Sequence, residues 1–78
     1  MVMETTLAQL PVGQAGTIIS LAEAGLARRR WLDLGLVPGT RVEAIRCSPA
    51  GDPVMYRVRG TLLALRQEHA GRIQIKIG

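Results

Sequence analysis

Seventy-eight residues, 47% apolar and 21% charged, describe one small globular domain with no room for a second core, for which a deep catalytic cleft would be demanding. The net charge of +4 is ordinary for the solubility of such a domain and selects no partner by itself. The single cysteine, Cys47, rules out an internal disulfide framework, and the longest apolar run, Leu62 to Leu65, is far short of the ~20 residues that span a bilayer.

Read in order, the chain alternates between short strands and strong turn signals. Met1 to Thr5 carries no anchoring pattern and is expected to fray, with no basic and apolar start of a secretory signal. Thr6 can cap one helical turn through Leu10, which Pro11 and Gly13 end. Gln14 to Leu21 predicts a first strand of partial alternation, with Thr17, Ile19 and Leu21 on one face. Ala24 to Leu34 predicts a helix whose Ala24, Ala27, Trp31 and Leu34 form one apolar stripe. Gly35 then stands where a helix takes a left-handed residue, and Leu36 where it packs back on Trp31. Val37-Pro38-Gly39-Thr40 has the signature of a type II turn.

The remainder reads as β structure. Thr40 to Cys47 alternates imperfectly, so a bulge is expected, and Cys47 at its end fits a small buried apolar position. A breaker-rich loop, Ser48 to Pro53, leads to a cleanly alternating strand from Val54 that carries Arg57 and Arg59 on one face. Gly60-Thr61 turns the chain into Leu62 to Arg66. Gln67 to Ala70 forms a single helical turn, and Arg72 to Ile77 alternates with Ile73, Ile75 and Ile77 facing in. About five short strands with one helix between the first two predict a mainly β fold, a small SH3-like barrel, with an OB-type barrel as the second choice.

The reactive groups are too few for catalysis. With one histidine, Cys47 and His69 are the sole Cys/His pairing, and no recognised nucleophile motif surrounds the cysteine. Neither phosphate-binding glycine motif is present, so no nucleotide cradle and no cofactor site are expected. No metal site is expected either. Glu68 and His69, adjacent in a turn, are the candidates to offer ligands to one exposed ion, against a prevailing reading as solvated polar residues.

Nine of the ten cations are arginine, Lys76 being the tenth, which favours planar pairing with carboxylate or phosphate. Arg28, Arg29 and Arg30 fan over about 200° of helix and make no single patch. Arg29 and Arg30 are spaced to pair with Asp33. Aromatic platforms for single-stranded nucleic acid are missing, because Trp31 belongs to the apolar stripe. A protein-docking surface is the reading left.

Several runs resemble the FeoA family of ferrous iron transport proteins over about Leu7 to Ile77. They are Leu7-x-x-Leu10-x-x-Gly13, then Arg29-Arg30-Trp31-Leu32-Asp33-Leu34-Gly35-Leu36-x-Pro38-Gly39-Thr40, then Pro49-x-Gly51-Asp52-Pro53, then Gly60-x-x-Leu63-Ala64-Leu65-Arg66. Trp31 departs from the Leu usual in the family, a change that bears on packing more than on function. The resemblance implies an SH3-like barrel and a cytoplasmic, non-enzymatic accessory of a FeoB-type ferrous iron permease. It would dock on the permease's cytosolic GTP-binding region, peripheral to the inner membrane through that partner, without inserting itself and without nucleic acid. The candidate contacts are Leu26, Arg28 and Arg29 on the helix, with Arg57 and Arg59. The alternative is a stand-alone SH3-like regulator binding metal or nucleic acid, like the C-terminal domain of iron-dependent repressors. The short chain favours the accessory.

Overall fold

Apolar alternation in the second half of the chain turns into strands that face one core, as a period of two requires. The computed structural model describes residues 2–77. In β4 (Val54–Val58), Val54, Tyr56 and Val58 point inward and Arg57 outward. Leu63 and Leu65 of β5 (Thr61–Leu65) and Ile73 and Ile75 of β6 (Ile73–Ile77) complete that side of the core. β4 and β5 are joined by Arg59 and Gly60, at φ 53° and 81°, a two-residue turn whose twist matches the strands. Arg59, expected beside Arg57 on the strand, is therefore a turn residue: β4 ends at Val58 because the two-residue connection claims the next position.

The two imperfect alternations both contain register shifts. β2 (Ala15–Leu21) slips against β6 between Ile18 and Ser20, and β3 (Arg41–Cys47) slips against β4 between Ala44 and Arg46. An extra residue in a strand flips every side chain after it. Thr17 and Leu21 thus face opposite ways, Ile18 is buried opposite Ile75, and Ile19, expected on one face with Thr17 and Leu21, falls at the shift without a partner in β6 and is exposed. Cys47, expected to be buried, pairs with the inward-facing Val54 but is the last residue of β3 and is exposed. α1 (Gly25–Asp33) lies between β2 and β3, the helix expected between the first two strands.

The start of the chain departs from expectation. Met1 lies outside the described residues, but Met3–Thr6 form β1, paired antiparallel with β6 from Met3↔Ile77 to Thr6↔Gln74. Its side chains are half-buried or exposed, so the backbone ladder holds it, and that leaves no apolar signature in the sequence. Thr6 makes no side-chain capping bond to the 3-10 turn at Leu7–Gln9.

Six antiparallel strands follow the order β1-β6-β2-β3-β4-β5. The expected closure is incomplete, because β1 and β5 are the two ends of the sheet and do not pair. A polar relay bridges the gap. The buried Tyr56 hydroxyl donates to the Leu7 carbonyl at 3.3 Å and accepts from Gln67 Nε2 at 3.2 Å. Gln67 opens α2 (Gln67–Ala70), and its backbone N–H donates to the Asp52 carboxylate at 2.9 Å. Burial pushes the Tyr56 phenol pKa above its ordinary value, and the Gln67 hydrogen bond opposes this in part.

Candidate docking surface

The end of α1 is the most strongly specified local structure in the chain. Gly35 adopts φ 101°; its N–H donates to the Leu32 carbonyl at 3.0 Å, and the Leu36 N–H donates to the Trp31 carbonyl at 3.0 Å. These are the two bonds of a Schellman stop, with Leu36 fully buried as its apolar latch. The Thr40 N–H then closes the Val37 turn at 3.0 Å, and Gly39 N–H donates to the Ile18 carbonyl at 2.7 Å. The stop is thereby tied to β2.

The other end of α1 is held much less firmly. Ala24 provides no side-chain cap, and a helix of nine residues is marginal by itself. Of the expected stripe only Trp31 is buried, at 6% exposure, while Ala24, Ala27 and Leu34 are exposed. Two alanines are too short to reach a surface that the anchored end does not draw close. Trp31 packs edge-on against His69 of α2, with ring centroids 5.8 Å apart. α1 is thus pinned at its C-terminal end and displayed along the rest.

What it displays is mixed apolar and basic. Leu26 is 84% exposed. An open groove of about 600 Å³ runs beside it, lined by Gly25, Leu26, Arg28, Arg29, Leu32 and Asp33. The expected pairing of Arg29 or Arg30 with Asp33 is not among the ion pairs of the described residues. Leu26, Arg28 and Arg29 thus line one groove. Arg59 approaches from the hairpin turn: a Cβ built on Gly35 would meet its Cδ at 3.3 Å. Arg57 stands apart, on the outer face of β4 opposite Glu43, 3.6 Å from that carboxylate.

The other sequence candidates form no assembled centre. His69 has its Nδ1 buried without a partner and its Nε2 3.7 Å from Glu68. One accessible imidazole nitrogen and one carboxylate fall short of the four ligands of a closed zinc site. Among the described residues no three His, Cys, Asp or Glu side chains cluster around a possible ion. Cys47 lines a second groove, of about 350 Å³, with Arg46, Ser48, Pro49, Pro53, Met55 and Ala64, and His69 is not part of it. The sequence shows the prolines that bracket this groove, but not that Met55 and Ala64 come to lie beside them.

A FeoA domain model matches residues 5–77. A fusion of Fe(2+) transport protein A with the Fe(2+) transporter FeoB, from Porphyromonas gingivalis, is 32% identical over 71 residues, 91% of this chain. The chain spans only 8% of that relative's length. The solution structure of FeoA from Chlorobium tepidum is 36% identical with a TM-score of 0.88, covering 94% of this chain and 70% of that one. FeoA of Stenotrophomonas maltophilia, solved in complex with zinc and described as an SH3 domain protein, is 29% identical with a TM-score of 0.78, over 91% and 88%. T. acidophilum IdeR shares the fold alone, at 16% identity and a TM-score of 0.83, over 96% of this chain and 34% of that one.

Proposed function

The chain belongs to the FeoA family, and from that premise we propose that it is a non-enzymatic accessory of a FeoB-type ferrous iron transporter. It works in the cytoplasm by docking on the transporter's GTP-binding region through the displayed face of α1. The observation that carries this reading is a helix of a small domain that spends one aromatic residue on the core and leaves Leu26 at 84% exposure. Such a patch, rimmed by arginines that form no ion pair among the described residues, suits a partner surface with an apolar pocket and acidic surroundings. The joining of both components in one chain of the Porphyromonas gingivalis relative supports this choice of partner. No helix of the described residues is long and apolar enough to cross a membrane.

Docking can regulate Fe2+ uptake only if the partner's conformational states differ in affinity for this surface. Capture of the purified cytosolic region of a FeoB, with and without guanine nucleotide, tests the reading. Arg28→Glu with Arg29→Glu is expected to weaken capture at least tenfold; unchanged capture removes α1 from the interface. The alternative, a stand-alone metal- or nucleic-acid-binding regulator, draws on the fold shared with IdeR, which at 16% identity speaks for architecture only.

A further inference from the structure

We propose a second interaction surface: the free edge of β5 accepts an extended, acidic strand from a partner protein. β5 ends the sheet and pairs only with β4. In a two-residue hairpin the pair flanking the turn, Val58↔Thr61, exchanges hydrogen bonds, and the pairs alternate from there. The bonded residues are thus Thr61, Leu63 and Leu65. The N–H and C=O groups of Leu62 and Ala64 point away from β4, and neither residue takes part in a loop or turn bond.

Edge strands are ordinarily blunted by charge, proline or a bulge. β5, Thr-Leu-Leu-Ala-Leu, has none of these: its register with β4 is unbroken, and Leu62 is 52% exposed. The outer face continues the site. Arg46, Met55 and Ala64 form one row across β3, β4 and β5, and that row lines the 350 Å³ groove. An added strand would pair its backbone with Leu62 and Ala64 and lay one apolar side chain past the small Ala64 toward Met55.

Charge selects the occupant. Arg57 stands opposite Leu62, Arg59 in the turn before β5, Arg66 just after it and Arg46 two strands in, against the carboxylates Glu43 and Asp52, a local excess of two positive charges. An acidic strand is attracted by that excess. A second copy would set the same basic margin against itself, which disfavours pairing of β5 with β5.

The probe is a seven-residue peptide of alternating valine and glutamate, added to the full chain, with the valine–lysine peptide as control. Amide exchange at Leu62 and Ala64 is expected to slow at least tenfold with the acidic peptide and not with the basic one. Leu62→Pro removes an outward N–H that the β4 ladder does not use, so it is expected to fold and lose binding at least tenfold. Leu62→Thr keeps the backbone and most of the binding. Equal binding of both peptides, or binding unchanged in a folded Leu62→Pro chain, overturns the proposal. Slow exchange at these amides without peptide, together with a dimer by light scattering, overturns it in favour of self-pairing. Should Leu62→Pro fail to fold, the exchange pattern of the native chain decides alone. Arg28→Glu leaves peptide binding intact, which separates this surface from the one on α1.

Discussion

The latch between α1 and the barrel can be dissected with two glycines. Gly35→Ala places a Cβ on a residue at φ 101°, which costs an L-residue about 1–2 kcal/mol in backbone strain. The same Cβ would lie 3.4 Å from Val58 Cγ1 and 3.3 Å from Arg59 Cδ. The arginine stem can yield, but Val58 is fully buried and cannot, so crowding adds roughly 1 kcal/mol. Gly39→Ala supplies the reference: its φ of 93° imposes a similar backbone strain, and its Cβ would meet nothing within 4 Å. In a domain this small each kcal/mol lowers the melting temperature by about 4–8 °C. Gly35→Ala should therefore melt about 4–8 °C below Gly39→Ala, and both below the native chain. Trp31, the one tryptophan and buried, reports the transitions by its fluorescence. Equal losses would refute the close approach of helix stop and hairpin. No loss in either would refute the left-handed geometry itself.

Other perturbations separate the core from the display. Leu36→Ala empties a fully buried site and should cost about 2–5 kcal/mol, a large part of a small domain's stability, measured by urea unfolding. Leu26→Ala should stay within about 0.5 kcal/mol of the native chain while weakening capture of the FeoB cytosolic region several-fold. Tyr56 has a pKa raised in the fold, so its neutral phenol stabilises the native state below the unfolded value of about 10, and that stability is lost as pH rises through the folded value. Tyr56→Phe should abolish this alkaline loss. At neutral pH it should cost roughly 1–2 kcal/mol, because the buried Leu7 carbonyl loses its donor. Docking that relies on exposed arginines should weaken between low and physiological salt, readable by titration at several ionic strengths.

Short-range physics was legible in the sequence. The Schellman stop at Gly35-Leu36, the turn at Pro38-Gly39 and the alternation of β4 and β6 each depend on residues a few positions apart, whose stereochemistry admits few conformations. The arginines and Leu26 could be named as an exposed helix face for the same reason. Which surfaces came together depended on pairings across the chain. β1 is held by a ladder to residues more than sixty positions away, and backbone bonding carries no side-chain signature. Two register shifts put Thr17 and Leu21 on opposite faces, left Ile19 unpaired at a bulge and brought Cys47 to the exposed end of β3, since a single extra residue reverses a strand's faces and the local pattern does not say where it falls. The apolar stripe of α1 marked a side that could be buried, but the anchoring at Leu36 allowed only Trp31 to reach the core. The sequence alone therefore determined the turns, the strand type and the family. Tertiary packing decided that the sheet stays open between β1 and β5, that α1 is displayed, and that Ala64 lies beside Met55, because each rests on contacts between segments that meet only once the chain has folded.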